Sequence, residues 1–204
     1  MQDKTDNPAT KKYYDHVSVA KRTKQVAYFV AQHDKTALFE QWLEHNAKKQ
    51  IVVLTKSKRT ADEMSKYLTS KDILATPVHG NHRVEQKEEA SRAINASKIH
   101  IIITTDMIFK SLNLAKIEVI VNYDLPQNPD EYFVRLRHVD EIGEAITLVS
   151  KDEKTALEMI ELMMKQEMPK EKLKDFAPTP PPQRSKPAQN PKDKKKKPRR
   201  IKEL

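Results

Sequence analysis

The sequence predicts an α/β domain, a parallel β-sheet flanked by helices, and three observations lead to this prediction. Short apolar runs rich in β-branched residues alternate along the chain with amphipathic stretches, a pattern typical of βαβ units. The alternation covers about 150 residues, which is enough for one complete hydrophobic core. The last part of the chain, in contrast, is almost free of apolar residues. We therefore expect a single folded domain followed by a tail.

Each element follows from its local pattern. Apolar runs that predict strands lie at 25–31, 50–55, 75–78, 100–104, 118–121 and 145–149. Amphipathic spacing predicts helices at 34–46, 59–68, 84–96, 128–136 and 152–165. Asp34 is the expected N-cap of the first helix. Right-handed crossovers between parallel strands bring the strand ends to one edge of the sheet, where ligands bind in such folds.

Both ends of the chain differ in composition from the predicted domain, residues 25–168. Residues 1–24 are polar and basic, and we interpret them as a leader or linker. Residues 177–204 contain ten lysines and arginines but only two acidic residues, so they carry +8 of the net charge of +9. Seven of the 12 prolines also lie there. Such a segment cannot bury apolar surface, and we expect a disordered basic tail.

Composition excludes several kinds of chemistry. The chain has no cysteine, which rules out disulfides and thiol nucleophiles and suits a cytoplasmic protein. Its only glycines are Gly80 and Gly143, so these 204 residues contain no glycine-rich phosphate loop of the GxxxxGK[ST] or GxGxxG type. The histidines show no metal-ligand spacing, and no apolar run is long enough for a membrane helix. We expect no metal site and no membrane partner.

The most informative motifs lie in the second half of the chain. One apolar strand ends in Thr-Thr-Asp at 104–106, a second ends in Asn-Tyr-Asp at 122–124, and a short helix follows with Arg135 and Arg137. This order resembles the second RecA-like domain of DEAD-box RNA helicases, most closely the bacterial RhlE-like group. The resemblance covers roughly residues 13–170 and implies a single RecA-like domain of the P-loop NTPase type.

The resemblance also implies contacts with RNA. The positions that match RNA-contacting motifs of the family are Thr55, Lys56, His79, Gly80, Lys87, Thr105 and Asp106. Lys87 replaces an arginine of the family, so the charge is kept but the two-pronged guanidinium is lost. In the tail we expect further phosphate contacts from Lys194, Lys195, Lys196, Lys197, Arg199 and Arg200.

The positions that contact the nucleotide in the family have changed. Lys110 replaces an arginine, Asn113 replaces the aspartate that holds the ATP ribose, and Arg135 is retained. The two arginine fingers of the family fall on His138 and Glu141. Losing such a finger costs about 10³–10⁵ in turnover. We therefore interpret Lys110, Asn113 and Arg135 as a vestigial nucleotide site and expect no catalytic residue.

The sequence thus predicts an RNA-binding domain that does not hydrolyse ATP on its own and needs no cofactor. One alternative is a functional half of a split or truncated helicase, which would use ATP and Mg²⁺ only with a separate first RecA domain. Another alternative is a protein-interaction module that docks on an RNA helicase or a ribonuclease.

Overall fold

The computed structural model describes residues 15–115, 117–139 and 143–180. They form a seven-stranded sheet in which every pair of neighbouring strands is parallel, in the order β3-β4-β2-β5-β6-β1-β7. The strands are β1 (Lys24–Phe29), β2 (Ile51–Leu54), β3 (Ala75–Val78), β4 (Ile101–Thr104), β5 (Val119–Asn122), β6 (Glu144–Val149) and β7 (Lys170–Glu171).

Helices connect the strands. The α-helices are α1 (His16–Arg22), α2 (Lys35–Leu43), α3 (Lys58–Thr69), α4 (Val84–Asn95), α5 (Asp106–Phe109), α6 (Pro129–Leu136) and α7 (Lys154–Met164). Two short 3-10 helices, Gln32–Asp34 and Lys151–Glu153, precede α2 and α7. The predicted parallel α/β fold is therefore confirmed.

The sheet is covered on both faces, as the alternation along β2 shows. Ile51 and Val53 belong to a buried cluster that includes Trp42 of α2 and Leu68 of α3. Val52 and Leu54, which point the other way, pack in a separate cluster that includes Phe109 of α5. A strand buried on both faces reads as a continuous apolar run, which explains the sequence pattern of β2.

All six strands and five helices predicted from the sequence are present, with boundaries within three residues of the predicted ones. Three further elements, α1, α5 and β7, were not predicted. The role of Asp34 also differs from the expectation, because its side chain makes no capping hydrogen bond to α2. Its carboxylate instead accepts hydrogen bonds from the backbone N–H and the hydroxyl of Thr179.

The folded unit extends beyond residues 25–168 at both ends. At the N-terminal end, Val19 and Ala20 of α1 are buried in the cluster formed by α6 and α7. At the other end, residues 169–180, which we call the strap, pair with β1 and pack Leu173 and Phe176 against the core. Residues 1–14 and 181–204, which hold the rest of the predicted leader and the basic tail, lie outside the described residues.

Candidate nucleic-acid interface

The carboxyl ends of β3, β4 and β2 bring most of the RNA-contact residues predicted within the domain to one edge of the sheet. His79 and Gly80 follow β3, and Thr105 and Asp106 follow β4. Lys56 follows β2, the strand that lies next to β4. We call this side of the domain the carboxyl edge.

Gly80 is exposed in the loop after β3, and the fold itself does not require a glycine there. Its backbone φ is not positive, and a Cβ built on it would meet no heavy atom within 4 Å. With no side chain at an exposed loop position, Gly80 lets a ligand approach the backbone. A bare backbone at a strand end is the kind of group that positions phosphates.

Polar side-chain groups at or near this edge come from Thr105, Lys56 and Lys87. Thr105 is the N-cap residue of α5, but its side chain makes no capping hydrogen bond. Lys56 has a side chain that is about half exposed, with Nζ 3.4 Å from an oxygen of Glu153. Lys87 lies in the first turn of α4 and lines a cleft of about 550 Å³ together with Asn113. The cleft thus joins one predicted RNA residue with one predicted nucleotide residue.

Two other predicted RNA contacts have their side chains engaged inside the domain. Thr55 is only 1% exposed, and its hydroxyl donates toward the carbonyls of Ser57 and Thr104 at 3.1 and 3.3 Å. His79 is 5% exposed, with Nε2 2.9 Å from a carboxylate oxygen of Asp62. These side chains shape the edge, and we leave them out of the proposed interface.

Arg135 is buried and holds two parts of the domain together. Its Nε and one terminal nitrogen each donate to a different oxygen of the Asp106 carboxylate, at 2.7 Å. Its other terminal nitrogen donates to the side chain of Asn122 and the carbonyl of Asp124, both at 2.9 Å. With 1% of its surface exposed, the guanidinium has no free face for a phosphate. Arg135 and Asp106 are therefore structural partners here.

The other predicted nucleotide positions are also occupied or rearranged. Nζ of Lys110 lies 2.6 and 2.8 Å from the two carboxylate oxygens of Glu131. His138, on a finger position, packs the edge of its ring on Phe109 with ring centroids 4.7 Å apart. Burial lowers the pKa of His138, so its ring favours the neutral form. Glu141, on the other finger position, lies outside the described residues.

A buried ion pair at the same edge was missed by the sequence reasoning. Lys35, fully buried at the start of α2, donates to the carboxylate of Glu153 and to the carbonyl of Tyr123. Burial by itself would raise the pKa of the Glu153 carboxyl, but several interactions outweigh burial and lower it to about 2. These are the hydrogen bond and charge of Lys35, and the backbone N–H groups of Ser150 and Leu125.

The same burial lowers the pKa of the Lys35 amine, although the charge of Glu153 opposes the shift. The pair joins three loops, those that follow β1, β5 and β6. The only sequence signal was a lysine where the first turn of an amphipathic helix faces the core, and that signal does not identify a partner.

The remaining candidates fall outside the structure or lack a site. The six predicted tail residues, Lys194 to Lys197 with Arg199 and Arg200, lie outside the described residues. Within residues 15–115, 117–139 and 143–180, no cluster of His, Asp or Glu could hold a metal ion. No helix in that part of the chain is long and apolar enough to cross a membrane.

Comparison with known proteins assigns the family. Residues 34–139 match the family described as helicase conserved C-terminal domain. The DEAD-box ATP-dependent RNA helicase RhpA of Helicobacter pylori is 28% identical over 142 residues, which cover 68% of this chain and 28% of RhpA. The probable ATP-dependent RNA helicase MJ0669 of Methanocaldococcus jannaschii is 31% identical over 117 residues, 56% of this chain and 32% of that protein. The chain thus matches about a third or less of these relatives' length.

Solved structures agree with this assignment. A DEAD box protein from Methanococcus jannaschii superposes with a TM-score of 0.67 and 26% identity, over 75% of this chain and 43% of that one. Escherichia coli SrmB, solved with the regulator of ribonuclease activity A, gives a TM-score of 0.69 at 17% identity, over 78% of this chain and 98% of the other. The second match shows the fold alone. The chain therefore belongs to the helicase conserved C-terminal domain family and has the RecA-like fold of the C-terminal domains of DEAD-box RNA helicases.

Proposed function

We propose that this chain binds RNA through the carboxyl edge and the basic tail, with little sequence preference. The observation that carries the proposal is Gly80, exposed at a strand end where neither sterics nor backbone conformation demands a glycine. Thr105 and Lys56 follow the next two strands of the sheet, β4 and β2. Backbone N–H, hydroxyl and ammonium groups contact phosphates and sugars, which confers affinity without reading bases. A cytoplasmic location fits this proposal.

A charge placed at Gly80 tests the interface. Gly80→Glu adds a carboxylate where open space is available, so the fold should be unaffected while phosphates are repelled. Leu74→Glu is the matched control, because Leu74 is 66% exposed at the opposite end of β3 and the change in charge is the same. We expect Gly80→Glu to weaken the binding of single-stranded RNA by the full chain roughly five- to tenfold at low salt. An equal effect of both variants would place the RNA elsewhere.

We further propose that the chain does not hydrolyse ATP by itself. The guanidinium of Arg135 donates its hydrogen bonds to Asp106, Asn122 and Asp124 within the domain. His138 occupies a position where the family has an arginine. Purified chain with RNA and Mg²⁺-ATP should release no phosphate above a blank. RNA-stimulated ATP hydrolysis that co-purifies with the chain would contradict this proposal.

A split helicase is the enzyme alternative, in which a separate first RecA domain supplies the phosphate loop and the metal ligands. This alternative rests on the length of the relatives, because the chain matches only about a third or less of the helicases RhpA and MJ0669. Adding a first RecA domain to the chain would restore RNA-stimulated turnover if this alternative holds. No gain over the first domain alone would exclude that pairing.

A protein-interaction role is the other alternative. SrmB, which superposes on this chain, has been solved with the regulator of ribonuclease activity A. On α7 of this chain, Leu162 is 70% exposed and Met159 about half exposed, so an apolar strip faces solvent. Co-purification of a helicase or ribonuclease that survives RNase treatment and is lost on Leu162→Glu would favour this role.

A further inference from the structure

The loop after β3 contains an interaction between two histidines that the proposed RNA contacts do not explain. The backbone N–H of His79 donates to Nδ1 of His82 at 3.0 Å, and the N–H of His82 donates back to the carbonyl of His79 at 3.0 Å. The two rings lie 4.2 Å apart. Together these contacts close a turn around Gly80 and Asn81.

The direction of the first bond fixes the proton on the His82 ring. A backbone N–H always donates, so Nδ1 of His82 must be an unprotonated acceptor and the ring carries its proton on Nε2. If Nδ1 gains a proton, it can no longer accept, and the N–H of His79 loses its partner. Histidine is the side chain whose ordinary titration falls between pH 5 and 8.

Charged side chains from two helices surround the turn. From α3, Asp62 holds Nε2 of His79, and Lys58 donates to the side chain of Asn81 at 3.1 Å. From α4, Glu89 lines the same cavity as His82.

Arg83 directly follows His82 in the chain, and Glu85 lies in the first turn of α4. Nδ1 of His79 is itself buried without a hydrogen-bond partner among the described residues.

We propose that His82 is a positioning residue whose neutral ring holds the Gly80–Asn81 turn in the form that meets RNA, and that protonation of this ring releases the turn. The inference rests on the proposed RNA-binding function and adds pH control to it. The folded edge then contributes more to RNA affinity when the His82 ring is neutral than when it is protonated. The lysines and arginines of the tail keep their charge over this range.

Two substitutions separate the hydrogen bond from the charge. In His82→Asn the side-chain oxygen can take the place of Nδ1 and accept from His79, but it cannot be protonated. His82→Ala removes the acceptor at every pH. The full chain should bind single-stranded RNA at constant ionic strength with three distinct profiles. Between pH 7.5 and 5.5 the RNA affinity of the wild type should fall by roughly three- to tenfold more than the affinity of His82→Asn, as expected for one lost hydrogen bond. His82→Asn stays tight at both pH values, and His82→Ala is weak at both.

The histidines away from this turn are present in all three proteins, so their titration cancels from the comparison. Nuclear magnetic resonance of the ¹⁵N-labelled chain without RNA provides a second readout. The amide resonance of His79 should shift, and its hydrogen exchange should accelerate, on acidification of the wild type but not of His82→Asn. A His79 amide that does not respond, or equal pH dependence of wild type and His82→Asn, would overturn the inference and leave RNA binding intact. A chain that binds no RNA at either pH would overturn the proposed function, and the inference with it.

Discussion

At the scale of single residues, Arg135 matches a nucleotide-site position in the sequence, but in the structure it is a buried residue that joins two loops. It bonds Asp106 after β4, Asn122 at the end of β5 and the backbone just beyond, so it ties two loops of the carboxyl edge together. Removing one partner of a buried ionic cluster leaves the other groups unpaired in a poorly solvated place, and that is where the free-energy cost arises.

Arg135→Ala should lower the free energy of unfolding by about 3 kcal/mol, because it orphans one carboxylate, one amide and one carbonyl. Urea denaturation of the full chain measures the change. Arg59→Ala is the control, since Arg59 makes an exposed pair with Glu63 and should cost less than about 0.5 kcal/mol. Similar losses of unfolding free energy in the two variants would show that the buried contacts of Arg135 contribute no more to stability than an exposed ion pair does.

Glu153 makes the stability of the domain depend on pH in acid. Its pKa is near 2 in the folded chain and close to the ordinary value of 4.5 when unfolded. A carboxyl with a lowered folded pKa stabilises the fold above the unfolded pKa, and the stabilisation is lost as pH falls from about 4.5 toward 2. The loss is on the order of 3 kcal/mol.

Guanidinium unfolding at several pH values between 2.5 and 6 measures this dependence. Glu153→Gln should be less stable than the wild type at pH 6, and the gap should narrow steadily below pH 4.5. Glu158→Gln, in an exposed pair with Lys154, should follow the wild type throughout. A gap that stays constant down to pH 2.5 would mean that the Lys35 pair does not control the titration.

Much of the site could be foreseen residue by residue, but the burial of its members could not. The motif positions correctly located Gly80, Thr105 and Lys56 at strand ends. The burial of Thr55 and His79 depends on α3 and on β4, which pack over them from elsewhere in the chain. The partner of Lys35 lies 118 residues away, and no local pattern contains that information.

At the scale of elements, the strap is the feature that sequence patterns could not show. β7 has only two paired residues, Lys170 and Glu171, and both are charged. The sequence there has no alternation of apolar and polar residues that would predict a strand. Its stability comes from context: it pairs with the open side of β1 and is followed by Leu173 and Phe176, which dock on the core. Longer strands and helices carry their own periodic signal, which is why those were predicted correctly.

Phe176→Ala should destabilise the full chain by about 1–2 kcal/mol, since a partly buried aromatic ring is lost from a half-exposed site. Lys174→Ala is the control on the same segment: Gln41 bonds to its backbone carbonyl, so truncating the exposed side chain should change little. Chemical denaturation and the rate of proteolysis within residues 169–180 measure both effects. A strap that resists protease equally in both variants would show that Phe176 does not anchor it.

At the scale of the whole molecule, charge is divided unevenly between the domain and the tail. Residues 177–204 carry +8 of the net +9, so the folded part exerts little long-range attraction on a polyanion. Lysine and arginine contacts with phosphates release counterions, which makes the affinity fall with salt. If the tail neutralises about five phosphates of single-stranded RNA, log K should decline with log salt at a slope of about −3.5.

Deleting residues 181–204 should therefore remove most of the RNA affinity and most of this slope, because all ten basic residues of the tail lie in that segment. Thr105→Ala or Lys87→Ala in the full chain should cost much less. Replacing the tail with a neutral Gly/Ser segment of equal length controls for chain length. If the truncated chain binds as tightly as the full one, the tail is only a solvated extension and the carboxyl edge carries the binding.

The position of β1 in the sheet has a consequence for how the protein is made. Among the described residues, the first strand, β1, lies between the last two, β6 and β7, and pairs with both. During synthesis β1 therefore leaves the ribosome more than a hundred residues before its two partner strands and stays unpaired until they have been translated. Contacts so distant in sequence make folding slow and expose strand edges to aggregation. Ribosomes that stop before residue 171 thus release a chain in which β1 lacks a complete set of neighbours, a substrate for chaperones and proteases.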